Sequence, residues 1–301
     1  MDFRLRVFES VARNLSFTRA AKELKISQPA ISKHVQELES LYSTPLFIRE
    51  GNQIKITSAG ETLLAHSTRI IDAFDWLDYD MSQFAQQSRV GKLRIAATET
   101  LYNYTLPALI AAFLKKNPNV EISIIPNKTA NIEHALSKKK IDLGAIEQEV
   151  ENESLTQSPF ATDEIVAICA KNGNISTYNS LSLKELKHIP LIIPQTENEI
   201  FLLIEDTLKK RRVKLEDLNI MIRLDNPESI KNFVKKADCV GFVSRQSLSI
   251  PSDLDKFKIV PLSDLSFNRV LQFIELQSSK NEVASDFIRF AKRMTMLKSQ
   301  Q

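Results

Sequence analysis

The hydrophobic period of this chain changes near residue 90, and no single core satisfies both halves. Up to Phe84 the apolar residues recur at helical intervals except in a short alternating stretch over 48–56; beyond Val90, short apolar runs alternate with helical stretches. A chain of 301 residues also exceeds what one core usually fills, so separate folding units are expected. The hydrophobic fraction of 43% and charged fraction of 26% are those of globular protein, and no run reaches the roughly 18 apolar residues of a membrane span. The opening Met1-Asp2-Phe3-Arg4-Leu5-Arg6 has neither the apolar stretch nor the cleavage site of an export signal, so a cytoplasmic protein with no membrane partner is expected.

Three short helices are predicted first. Phe3, Leu5, Val7, Phe8 and Val11 form one buried stripe, broken at Asn14-Leu15-Ser16. Ser16 or Thr18 can cap a second helix whose inner Ala20, Ala21 and Leu24 admit close helix packing. After the turn Lys25-Ile26-Ser27, Ser27 can cap a third helix with Pro29 in its first turn, where the missing amide proton costs little. Ala30, Ile31, Val35 and Leu38 point inward there, leaving Gln28, Ser32, Lys33 and Gln36 outward with Pro29 at the tip. Gln can bind adenine bidentately, Ser can bond a base edge, and Lys can reach guanine or phosphate. Two short helices, a tight turn and a polar second helix fit a helix-turn-helix, although polar outer faces also occur on ordinary surface helices. The net charge of +3 does not identify a nucleic-acid binder, but its positive excess lies in the first 57 residues, ahead of an acidic stretch.

After Phe47, the segment Ile48 to Ile56 has a turn at Gly51-Asn52 and then alternates, as a hairpin wing would. Ser58 and Glu61 have capping-box spacing for a long helix, with Thr57 an alternative cap. Leu63, Ile70, Phe74, Leu77, Met81 and Phe84 follow steps of three and four once Ser67 is accepted as the polar member, a dimerising seam that could also pack on the chain's own domains. Paired readers would bind a roughly palindromic site on double-stranded DNA.

Beyond the hinge at residues 86–91, strands are expected at 93–97, 120–126, 141–146, 164–170, 191–193, 219–224, 239–243, 258–261 and 268–276, with helices at 104–116, 131–139, 199–212, 228–237 and 282–297. That βαβ rhythm implies two α/β lobes with mainly parallel sheets. Ligands in such sheets sit beyond the carboxyl ends of strands, here Thr98, Glu99, Thr100, Asn127, Lys128, Thr129, Glu147, Gln195 and Thr196. Thr and Asn at these junctions also serve as helix caps, and Thr100 precedes a helix whose first amides favour an anion. Glu99 and Glu147 disfavour a polyanion and Lys128 favours one.

Catalytic and metal signatures are missing from the sequence. The four histidines have no metal spacing, Cys169 and Cys239 are far apart, and six glycines form no Walker loop or GxGxxG motif. No enzyme activity, cofactor or metal is expected.

Phe8, Ser16-Phe17-Thr18, Ala20-Ala21, Leu24, Ser27 to Ser32, Val35, Leu38-Glu39, Leu46-Phe47 and Arg49 together resemble the signature of LysR-type transcriptional regulators. The resemblance implies a winged helix-turn-helix over residues 1–57, a linker helix and hinge over 58–90, and a two-lobed, type 2 periplasmic-binding-protein-like effector domain over 91–301. Lobe I would hold 91–162 and 268–301, and lobe II 163–267, with a small-molecule effector bound between them. It puts Ser27, Gln28, Pro29, Ser32, Lys33 and Gln36 against DNA, with Arg49 on backbone phosphate or in the minor groove and Lys55 also at the DNA, and implies a dimer or tetramer that works with RNA polymerase. One departure is the wing, where the family carries several arginines and this chain has Arg49, Glu50 and Lys55.

Overall fold

The computed structural model describes residues 2–50, 53–85, 90–196, 198–248, 253, 255–279 and 281–299. The chain divides into two compact units, residues 1–86 and 87–301.

The first unit opens with α1 (Phe3–Asn14), α2 (Phe17–Leu24) and α3 (Gln28–Tyr42). Each has a side-chain cap: Asp2 accepts from the Arg4 amide, Ser16 from Arg19, and Ser27 from Ala30. Each ends on a left-handed residue, Leu15, Lys25 or Ser43, so the chain turns sharply between helices without glycine. The core joins Leu5, Phe8, Ala12, Leu38 and Leu46 to a second cluster of Val7, Val11, Ala20, Ala21, Ile31 and Val35. Strands β1 (Phe47–Glu50) and β2 (Gln53–Ile56) form the wing, pairing Ile48 with Lys55 and Arg49 with Ile54. Glu39 accepts the amides of Leu46 and Phe47 at 2.8 and 3.3 Å, which ties α3 to the wing.

Helix α4 (Ser58–Ala85) follows. Its cap is Thr57, whose hydroxyl accepts from the Gly60 amide at 3.0 Å, rather than Ser58. The seam expected from Leu63 onward is divided. Leu63, Ser67 and Ile71 pack toward the helical core, whereas Ile70, Phe74, Leu77 and Met81 are 42, 37, 52 and 57% exposed. The apolar face left open therefore begins at Ile70, and the Phe84 side chain lies outside the described residues.

The second unit runs β3 (Gly91–Ala97), a π turn (Leu101–Thr105), α5 (Leu106–Lys116), β4 (Val120–Pro126), α6 (Thr129–Ser137), β5 (Leu143–Ile146) and β6 (Leu155–Ala170). It continues with α7 (Leu183–Leu186), β7 (Leu191–Ile193), α8 (Glu199–Lys210), β8 (Ile220–Arg223), α9 (Pro227–Val234), β9 (Val240–Ser244), β10 (Phe257–Ile259), β11 (Phe267–Leu276) and α10 (Glu282–Ser299). The strand order is β4-β3-β5-β11-β6-β9-β7-β8, with β10 also on β6. β3, β4 and β5 are mutually parallel in one lobe, as are β7, β8 and β9 in the other. Mainly parallel sheets were expected throughout; instead the antiparallel pair β6 and β11 runs through both lobes and joins them. β6 is also longer than the stretch from Glu164 that alternation marks.

Asp163 and Arg269 face each other across this pair. Both are buried, and the Arg269 Nε donates to Asp163 Oδ2 at 2.9 Å. The Ser244 hydroxyl at the end of β9 donates to the other oxygen of Asp163 at 2.8 Å. Removing one partner of a buried pair leaves an uncompensated charge in a poorly polarisable interior. Arg269→Met should therefore cost about 3–5 kcal/mol, with partial recovery in Arg269→Met/Asp163→Asn. Urea denaturation checks this, and a loss below about 1 kcal/mol for the single variant would contradict the assignment.

Candidate nucleic-acid interface and inter-lobe cleft

On α3 the sequence pattern and the observed faces agree. Ile31, Val35 and Leu38 are buried, while Ser27, Gln28, Pro29, Lys33 and Gln36 are exposed and Ser32 is half-buried. The Gln28 amide donates to the Ser32 hydroxyl at 3.2 Å, so two polar groups one turn apart hold each other until a better partner replaces the bond. The first turn carries no acidic residue to repel phosphate, while Pro29 has no amide proton and the Ala30 amide is taken by the Ser27 hydroxyl. His34 lies on the flank, 3.6 Å from Glu37 and edge-on to Phe3. Lys55 on β2 is exposed; Arg49 lies in β1, with its side chain outside the described residues.

In the second unit the carboxyl ends of both sets of parallel strands meet across a cleft. Thr98, directly after β3, and Glu147, directly after β5, are buried, and the Thr98 hydroxyl donates to Glu147 Oε2. The other carboxylate oxygen lies 3.6 Å from Arg269 Nη2, an ion-pair distance too long for a hydrogen bond. Burial, with Glu199 and Asp163 adding to it, pushes the Glu147 carboxyl up to about 7 against the opposing pull of Arg269 and Thr98. Thr98, Glu147, Arg269, Asp163 and Ser244 thus form one buried polar chain from lobe I, through the crossing strands, to lobe II.

Three further hydrogen bonds cross the cleft, each ending on a carboxylate. Thr129 at the start of α6 reaches Glu199 at the start of α8 at 3.4 Å. The Asn226 amide donates to Glu99 at 2.6 Å, and the Tyr104 hydroxyl to Glu228 at 2.8 Å. Burial and the Glu228 acceptor raise the Tyr104 phenol. Glu228 is itself held 2.6 Å from Lys231, a fully buried amine that also bonds Asp253 at 2.7 Å and the Ser247 carbonyl at 2.9 Å. These carboxylates and this lysine have donors and acceptors supplied by the protein.

The remaining sequence candidates divide. Thr98, Glu147 and Thr129 take part in the cleft contacts. Thr100 is buried, but it already has helical backbone and its side chain makes no capping bond, so it lies inside the first turn rather than ahead of it. Asn127 bonds the Lys128 amide and the Asn131 side chain of its own loop. Gln195 and Thr196 are exposed, and the Gln195 amide donates to Asp225. Asp163, Arg269, Ser244, Tyr104, Glu228 and Lys231 are not evident from motif spacing. A faint signal exists for Arg269, which occupies an inward position between Phe267 and Leu271.

Cys169 and Cys239 are buried, each thiol is raised by burial, and they belong to cores on different faces of the sheet. Neither has the polar, exposed setting of a reactive thiolate. Among the described residues no cluster of His, Cys, Asp or Glu could hold a metal, and no helix is long and apolar enough to cross a membrane.

Comparison with known proteins follows the same division. The bacterial regulatory helix-turn-helix protein, lysR family, matches residues 3–61, and the LysR substrate binding domain matches residues 86–295. The chain is 28% identical over 289 residues to the "Probable RuBisCO transcriptional regulator" of a Synechocystis species, covering 95% of this chain and 84% of that one. The protein of the same name from Phaeodactylum tricornutum is 25% identical over 299 residues, covering 98% and 96%. Among solved structures, oxidized Corynebacterium glutamicum OxyR aligns with TM-score 0.70 at 19% identity over 100% of this chain and 94% of that one. Full-length CbnR complexed with its target DNA aligns with TM-score 0.58 at 18% identity over 98% and 99%. The chain belongs to the LysR family: it is a transcriptional regulator with a helix-turn-helix DNA-binding domain and an effector-binding domain.

Proposed function

We propose that α3 enters the major groove with Gln28, Ser32, Lys33 and Gln36 at base edges, Ser27 and Pro29 at the tip, and Arg49 and Lys55 on the backbone. The observation that carries this reading is the division of α3, whose Ile31, Val35 and Leu38 anchor one side while the opposite side is polar and open. An effector bound between the lobes, near Thr98, Thr100, Asn127, Thr129, Glu147, Gln195 and Thr196, would favour one degree of closure over another and so shift the regulator between states. The protein acts in the cytoplasm, catalyses no reaction and needs neither cofactor nor metal. Functionally, residues 1–57 read DNA, 58–90 link and dimerise, and 91–301 sense. RNA polymerase is the downstream partner.

The exposed face of α4 supports self-association. Ile70, Phe74, Leu77 and Met81 are large apolar residues on one helix, and covering them with the same face of a second copy removes them from water. Two readers brought together this way match a pseudo-palindromic operator, and a second dimer contact would give a tetramer.

Gln28→Ala should lower affinity for the operator about 5- to 150-fold, the equivalent of about 1–3 kcal/mol, while binding to random DNA changes little. Arg49→Ala should weaken both and flatten the salt dependence. Fluorescence anisotropy at several salt concentrations separates the two, and equal loss on both DNAs for Gln28→Ala would contradict the base contact. Phe74→Glu/Leu77→Glu should shift the sedimentation profile to a monomer; an unchanged oligomer would remove α4 from the interface.

A further inference from the structure

We propose that closing the two lobes takes up a proton at Glu147, so that the regulator responds to acidity together with its effector. The inference concerns the regulation of the inter-lobe cleft and rests on reading that cleft as the sensing site.

Its geometric basis is the charge count around the cleft floor. Arg269 is one guanidinium between two buried carboxylates, and its close contact is with Asp163 at 2.9 Å while Glu147 stands at 3.6 Å. With both acids ionised, the trio carries an uncompensated negative charge away from water. The third carboxylate comes from the other lobe. Glu199 begins α8 and meets lobe I through Thr129, so its charge, carried by lobe II, adds to that of Glu147 where the lobes meet. Arg269 on β11 lies 3.6 Å from Glu147, and the charges of Asp163 on β6 and Glu199 on α8 also act on it. β3 supplies the Thr98 hydroxyl, and the nearby Glu99 is turned to Asn226.

Closure therefore makes two changes at Glu147 in one motion, removing water and adding a like charge. Both oppose ionisation. A neutral Glu147 relieves them, while Arg269 remains balanced by Asp163. Opening readmits water, withdraws Glu199 and returns the carboxyl toward its ordinary value. The sign follows from a carboxyl raised to about 7 in the closed arrangement, from an ordinary 4.5. The closed form binds more protons between those values, so closure is favoured on the acid side and weakens as pH rises through that window. Taking the ordinary value for the open form, the closed-to-open ratio falls about tenfold between roughly pH 6 and pH 8.

The test uses the full-length protein with spin labels on cysteines introduced at exposed Lys138 in lobe I and Lys210 in lobe II; the native cysteines are buried. Pulsed dipolar distances should show a closed population that grows at the lower pH, with the ratio changing about tenfold. Glu147→Gln should hold the two populations constant across that range, and Glu199→Gln should shrink the change. In parallel, infrared difference spectra of the unlabelled protein should show a protonated-carboxyl band at the lower pH that vanishes at the higher pH and is missing from Glu147→Gln. Identical wild-type populations at both pH values overturn the proposal, as does a pH shift that persists undiminished in Glu147→Gln or Glu199→Gln, or a lack of the infrared band. A pH shift in the distances with no accompanying change in operator binding would instead sink the reading of the cleft as the sensing site and leave this titration untouched.

Discussion

Two strands serve both lobes of the effector unit at once, and the ion pair between them is the constraint on which the rest of that unit depends. β6 and β11 run antiparallel with Asp163 opposite Arg269, so the two lobes, each with its own hydrophobic clusters, are joined through one shared pair of strands. Buried charges are tolerated only when paired and hydrogen-bonded. Here the pair is extended at one end by Ser244 from lobe II and at the other by Glu147 and Thr98 from lobe I. The same residues that fix the register of the crossing strands thereby form the floor of the cleft. A ligand bound there, as proposed, would act on the two strands that join the lobes.

In the reader unit, short-range chemistry does most of the work. Three helices are each started by an Asp or Ser side chain and ended by a left-handed residue, so their lengths are set locally and their apolar faces meet as two small clusters. A reading helix must be held firmly on one side and left uncommitted on the other. Glu39 contributes to the first requirement by accepting two amides of the wing approach, and the Gln28 to Ser32 bond leaves the second intact.

These local features were legible in the residues. Ser27 with Pro29 announces α3, the alternation after Gly51-Asn52 announces β2, and the runs at 120–126 and 191–193 coincide with β4 and β7. What escaped was non-local. The first half of β6 contains Pro159 and several polar residues, which argue against a strand; the register shift opposite Leu271 and Gln272 absorbs that proline. The helical period ran through Leu63, but the α1 helix packs there and takes the residue into its own core. Thr98 and Glu147, bonded to each other, stand 49 residues apart with no motif between them, and Asp163 and Arg269 are separated by 106. Only the fold brings such pairs together, whereas the position of candidate loops at strand ends could be read from the βαβ rhythm.

The proposed reading of DNA by the exposed face of α3, in a symmetric pair, meets its sharpest check on DNA itself. Nuclease footprinting of the purified protein on its own upstream region, at fixed salt, tests it most directly. Two related half-sites, spaced by whole helical turns on one face of the duplex, should be protected. Protection no different from that on random DNA would contradict it.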